Sequence, residues 1–147
     1  MAVVRMDNVG IVFEDLAPAI AFFAELGLEL QGEMTIEGDW SDRVVGLKGQ
    51  RVDIAMMRTP DGKTGVELMR YQKPKAIPGV PKDAPANTLG IRRIMFAVDD
   101  IDDVVDRLRS GHRAELLGEI AQYEDVYRLC FVRGPDGIVI GLAQRLS

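Results

Sequence analysis

One short pattern is written twice in this chain, and that doubling limits its fold more than any other feature. Residues 8–26 run from Asn8-Val9-Gly10-Ile11-Val12-Phe13 through Glu14-Asp15 into an apolar helical pattern. Residues 93–108 run from Arg93-Ile94-Met95-Phe96-Ala97-Val98 through Asp99-Asp100 into another. An offset of 85 residues pairs Asp15 with Asp100 and Leu16 with Ile101. A second offset, of 75, pairs Arg58 with Arg133 and Pro60-Asp61-Gly62 with Pro135-Asp136-Gly137. Pro-Asp-Gly between apolar runs is a turn, because proline presets φ and glycine accepts a positive φ. The order is strand, helix, then strands joined by turns, done twice.

The first helix is expected to start near Asp15, with Pro18 in its first turn, and to stop at Gly27. The second is expected to start at Asp99 or Asp100, to present Ile101, Val104, Val105 and Leu108, and to stop at Gly111. Each is amphipathic and suited to cover one sheet face. Between the copies, residues 72–90 hold Pro74, Pro78, Pro81 and Pro85. Neither a strand nor a helix suits so many prolines, so this is a surface connector. Half the chain is small for a comfortable independent domain. The organisation is therefore a single domain over 1–147, with module one at 1–71, a proline-rich connector at 72–89 and module two at 90–147.

Composition narrows the chemistry. The 147 residues carry 18 basic and 23 acidic side chains, for a net charge of −5. Without a basic block, the chain is a poor partner for a phosphate backbone, and no nucleic acid is expected. Cys130 is the only cysteine and His112 the only histidine. An intrachain disulfide, a multi-thiolate zinc site and any site needing two histidines from one chain are excluded. His112 just past Gly111 reads as a solvated loop residue. No apolar run approaches ~18 residues, and the N-terminal stretch lacks the apolar core of a signal peptide. The expectation is a cytoplasmic protein without a membrane partner.

Four stretches resemble one family, the vicinal oxygen chelate superfamily. They are Asn8-Val-Gly-Ile-Val-Phe-Glu-Asp-Leu, Val66-Glu67-Leu68, Ile94-Met-Phe-Ala-Val-Asp-Asp-Ile and Gly134-Pro-Asp-Gly-Ile-Val-Ile. That family includes glyoxalase I, extradiol dioxygenases, epimerases, fosfomycin-resistance enzymes and bleomycin-resistance proteins. The resemblance implies an α+β fold of two βαβββ modules. Their strands form one cup-shaped, mostly antiparallel sheet with the helices outside. It implies four metal-ligand positions, which fall at Asn8, Glu67, Arg93 and Gly141. Family members with a metal usually show His or Glu there, and this chain keeps only Glu67. Arg93 carries a fixed positive charge, and Gly141 has no side chain. One carboxylate is too few for a transition metal, which wants three or four good donors. The expected cofactor is none, with a divalent metal as the lesser alternative.

Alternation along strands sorts faces independently of the family. Ile94, Phe96, Ile140 and Leu142 suit the helix side, which leaves Arg93, Met95 and Gly141 inside. The same rule by bulk sends Val52, Ile54 and Met56 outward and Asp53, Ala55 and Met57 inward. It sends Tyr127, Leu129 and Phe131 outward and Arg128, Cys130 and Val132 inward. The expected lining is Asn8, Gly10, Asp53, Met57, Glu67, Met69, Arg93, Met95, Arg128, Cys130 and Gly141. Glu67 is the catalytic candidate. Asn8, Asp53, Arg93 and Arg128 are candidate substrate contacts, the arginines favouring a carboxylate, enolate or phosphate. Glu67 with Arg93 is either a structural ion pair or a ligand anchor, and Asp53 with Arg128 likewise. Cys130 is either a small core residue or a thiolate activated by Arg128. The loop Glu37–Asp42 offers Trp40 as a lid or as an interface anchor. Tyr123, in the approach to the second module's third strand, offers a hydroxyl to a ligand. Three functions fit: a metal-free binder or enzyme for a small anionic or oxygen-rich metabolite, a metal-dependent lyase or isomerase, and a non-catalytic drug-sequestering protein. Exposed strand edges add a homodimer to the expected partners.

Overall fold

A computed structural model describes residues 2–79 and 81–146. The chain divides into two compact units, one ending at Pro78 and the other beginning at Gly79. The first contains β1 (Val9–Val12), α1 (Leu16–Leu26), β2 (Glu29–Glu37), α2 (Asp39–Val45), β3 (Arg51–Arg58) and β4 (Gly65–Lys73). The second contains β5 (Arg93–Ala97), α3 (Ile101–His112), β6 (Glu115–Leu116), β7 (Ala121–Tyr123), β8 (Tyr127–Arg133) and β9 (Val139–Arg145). The fold is α+β, and the strand–helix–strands order occurs twice, as the sequence doubling requires.

Each unit builds its own sheet with the same logic. In the first the strand order is β1-β4-β3-β2, and in the second β5-β9-β8-β6 with β7 also on β8. Only the pairs β1–β4 and β5–β9 are parallel; the others are antiparallel. A parallel pair needs a long crossover, and in both units that crossover contains the helix. β4 continues to Lys73, two residues past the expected end of module one.

The helices start where their caps dictate. Asp15 accepts a hydrogen bond from the Ala17 amide at 3.2 Å, and Asp100 accepts one from the Asp103 amide at 3.1 Å. α1 stops at Gly27, which takes φ 115°. α3 passes through Gly111, contrary to expectation, and ends at Arg113 with φ 55°. Arg109 in its last turn sits favourably at the negative end of the helix dipole. α1 buries Ala19, Phe22, Phe23 and Leu26, and α3 buries Ile101, Val104, Val105 and Leu108. Phe23 meets Phe13 and Phe22 edge-to-face, with centroids 6.4 and 5.4 Å away.

Both Pro-Asp-Gly sequences form turns. In the first, the Asp61 carboxylate accepts from the Thr59 hydroxyl at 2.6 Å and the Lys63 amide at 3.0 Å. In the second, Pro135–Gly137 make one 3-10 turn. Arg133 donates to the carbonyls of Gly137 and Ala84, each at 2.9 Å, which ties the connector to this turn. Gly137 has φ 83°, and a Cβ there would collide with the Lys82 carbonyl. Gly62 has φ 73° but open space around it.

The two glycines therefore predict unequal losses. Gly62→Ala should cost only the left-handed strain, about 1–2 kcal/mol. Gly137→Ala should cost that strain plus displacement of the connector, about 1–3 kcal/mol more, by analogy with overpacking. Urea denaturation of both variants reads the difference. Equal losses would mean that the connector gives way freely at Lys82.

Candidate functional site

Strand register fixes which side chains share a face, because directly paired residues project the same way. In the first sheet, Ala55 pairs Leu68 and Met57 pairs Val66. All four are buried, and α1 packs on β2, β3 and β4. This is the helix face. Met56 pairs Glu67, Glu67 pairs Gly10, and Ile54 pairs Met69. These residues share the opposite face, on which Ile54 is buried while Met56, Glu67 and Met69 are partly exposed, and Asn8 precedes β1 with the parity of Gly10. Gly10 gives Met69 room to lie over β1: a Cβ at Gly10 would be 3.0 Å from Met69 Cε.

Asp53 therefore does not line the open face. It pairs Arg70 and Thr35 on the helix face, beyond the part that α1 seals. There it accepts from the Thr35 hydroxyl at 2.8 Å, from Gln72 Nε2 at 2.8 Å and from Arg70 at 3.3 Å. The Thr35 hydrogen bond leads in holding the Asp53 carboxyl below its ordinary pKa, aided by Gln72 and Arg70 and opposed by desolvation. Ala55 and Met57 belong to the core for the same reason.

In the second sheet, Cys130 pairs Leu142 and Val132 pairs Ile140, all buried beneath α3. Arg128 shares that side. It makes a two-pronged pair with Asp102 of α3, at 2.6 and 3.0 Å. Beside it, Gln144 Oε1 accepts from the Ile101 amide at 2.8 Å. The expected inward Arg128 thus anchors a helix instead, and its partner is Asp102, not Asp53. The hydrogen bond from Arg128 lowers the Asp102 pKa and raises that of Arg128. Cys130 is no activated thiolate: burial raises its thiol to about 11, and the Arg128 charge only partly opposes this.

The open face of the second sheet holds Arg93, Met95 and Gly141, as alternation requires, together with Tyr127, Leu129 and Phe131, which it misplaced. Arg93 lies over the Phe131 ring, its guanidinium carbon 4.5 Å from the centroid. Met95 lies over Gly141, where any Cβ would strike its sulfur. Tyr123 stacks on Tyr127 with centroids 5.8 Å apart. Their pairing across β7 and β8 puts both on this face, and Tyr123 is 58% exposed. Trp40 lies on the first turn of α2, not in a loop, and is 68% exposed. The helix forms because Asp39 and Asp42 favour its N-terminal end and Arg43 pairs with Asp39 at 3.1 Å.

Of the four positions implied for a metal, Asn8 and Glu67 belong to the first unit and Arg93 and Gly141 to the second. Their donors are one amide, one carboxylate, a fixed cation and no side chain. Among the described residues no three His, Cys, Asp or Glu side chains cluster. This set does not fit a protein-held transition metal. A shallow groove beside the end of α3, lined by Asp106, Arg109, Ser110, Arg113, Ala114 and Glu115, contains none of the expected site residues.

The family model described as the Glyoxalase/Bleomycin resistance protein/Dioxygenase superfamily matches residues 7–144. A crystal structure of a glyoxalase family protein from Bacillus cereus is 52% identical, with TM-score 0.93, over 100% of this chain and 99% of that one. The protein YwbC of Bacillus subtilis, itself uncharacterized, is 27% identical over 96% of this chain and 98% of its own length. TnmS3, an antibiotic binding protein from a Streptomyces species, shares the fold, with TM-score 0.59 and 20% identity over 99% of this chain and 98% of its own.

Two measurements test these placements. The Asp53 carboxylate stabilises the fold above its unfolded pKa of ~3.9, and that contribution is lost as pH falls through the lower folded value. Asp53→Asn should lower the urea midpoint at neutral pH, and its gap to the parent should narrow below pH ~4. A constant gap would remove the carboxylate from this role. Native Cys130 should react with iodoacetamide at pH 8 at least tenfold more slowly than in the unfolded chain, since a thiol near 11 is mostly protonated there.

Proposed function

The chain belongs to the Glyoxalase/Bleomycin resistance protein/Dioxygenase superfamily, and from that premise we propose that it binds a small organic anion without a protein-held transition metal. The observation that carries this is Arg93 resting on Phe131. A cation resting on a ring spends no hydrogen-bond acceptor, so its N–H donors remain for a ligand. No acceptor of its own module engages Arg93 among the described residues. Around it lie Met95 and Phe131, an apolar setting with one fixed cation, the usual composition of a small-molecule site. A carboxylate, enolate or phosphate answers that arginine by a charge-assisted, two-pronged hydrogen bond.

Glu67 stands on the open face of the first sheet and is the candidate general base of an enzymatic version. Drug sequestration without turnover is the second reading, favoured by the likeness in fold to TnmS3, an antibiotic binding protein. Glu67→Gln separates the two: it abolishes turnover in an enzyme and leaves a sequestering protein unchanged. A homodimer is part of the proposal. Within its own sheet each of β1 and β5 is paired on one side only, and such edges favour association.

Short-chain carboxylates should shift NMR signals of Met95 and Phe131, and Arg93→Gln should weaken that binding about tenfold or more, the size of a hydrogen bond to a charged group. Carboxylate binding that ignores Arg93→Gln would overturn the anchor. Tight stoichiometric Zn²⁺, Ni²⁺ or Fe²⁺ after equilibrium dialysis would overturn the metal-free part. Light scattering in line with size exclusion should report twice the 16.2 kDa chain mass, and a monomer would remove the dimer.

A further inference from the structure

We propose that the open face of the second sheet selects an elongated anion with an aromatic or other flat ring at its far end, seated on the Tyr123–Tyr127 stack. This rests on the Arg93 anchor and adds a second recognition point. Phe131, beneath Arg93, and Tyr127 are four residues apart on β8, so both project from the same face about 13 Å from each other at ~3.3 Å per residue. Between these ends the register places Leu129 opposite Ala143, and Ala143 opposite Ala97. Leu129 and the two alanines make an apolar middle, while an arginine on an aromatic ring stands at one end and two aromatic rings stand at the other.

The tyrosine pair is held in place from both sides. Tyr123 and Tyr127 flank a tight turn in which the Val126 amide donates to the Tyr123 carbonyl at 3.1 Å. The Leu146 amide in turn donates to the Val126 carbonyl at 2.9 Å. Glu124 takes φ 48° in that turn. The rings are thus ordered by backbone and stacked before any ligand arrives, yet Tyr123 keeps more than half its surface exposed. A flat ring extends such a stack at little ordering cost. A second cation, Arg145, lies opposite Tyr127 on the same face. It defines the reversed orientation, with the charge at the tyrosine end, as the competing arrangement.

NMR titration of the full chain with hexanoate and with phenylhexanoate tests the second recognition point apart from the first. The added ring should tighten binding roughly three- to tenfold, the range of an aromatic pair. Tyr123→Ala should erase that gain and leave hexanoate binding unchanged, while Tyr123→Phe keeps it. Arg93→Gln should weaken both ligands alike, and Arg145→Gln neither. A ring that adds nothing, or whose gain survives Tyr123→Ala, overturns this inference and leaves the anion anchor standing. Loss on Arg145→Gln with none on Arg93→Gln overturns the orientation. Hexanoate binding that ignores Arg93→Gln overturns the anchor itself, and this inference with it.

Discussion

Everything functional about each module follows from one constraint: a single amphipathic helix can seal only one face of a sheet. In the second module that seal is polar as well as apolar. Ile101, Val104, Val105 and Leu108 bury against Cys130, Val132, Ile140 and Leu142, and the end of the helix is fastened to the sheet by Arg128–Asp102 and by Gln144 on the Ile101 amide. The partners at that end are solvent-exposed enough that their electrostatic contribution is modest. Their effect is directional: they set where α3 begins on the sheet. With one face closed, any bulky side chain of opposite parity has to stand on the other face.

That consequence explains which residues were legible from sequence and which were not. The doubling, the helix starts at Asp15 and Asp100 and both Pro-Asp-Gly turns are local signals carried by capping and turn chemistry, and all appear in the structure. Face assignment succeeded on β5 and β9, where one parity is apolar and the other is small or polar. It failed on β3 and β8, where both parities carry apolar side chains. Bulk then points the wrong way, because the open face here is furnished with Met56, Tyr127, Leu129 and Phe131 while the core takes Ala55 and Cys130. Asp53 and Arg128 were misplaced with their strands. A usable signal lay in Asp102: an acid in the first turn of a helix offers a partner to an arginine on the covered side of a neighbouring strand.

α2 was invisible for a different reason. Seven residues are too few for an apolar period to register. Bonds beyond its own turns add to its stability: the Asp42 carboxylate accepts from the amides of Gly49 at 2.8 Å and Gln50 at 3.1 Å, past the helix end. Such bonds are fixed by the return of the chain into β3, which helical periodicity does not register.

The methionines lying on glycines bear on how such a protein can change over evolutionary time. Gly141 is one of the four positions that the family resemblance implies for a metal ligand, and Met95 fills the space above it. A histidine or glutamate placed there alone would strike the Met95 sulfur before reaching any ion. Both positions have to change together, and Arg93, two residues from Met95 on the same strand, would still add a fixed positive charge beside them. A longer side chain at Gly141 thus depends on a change at Met95.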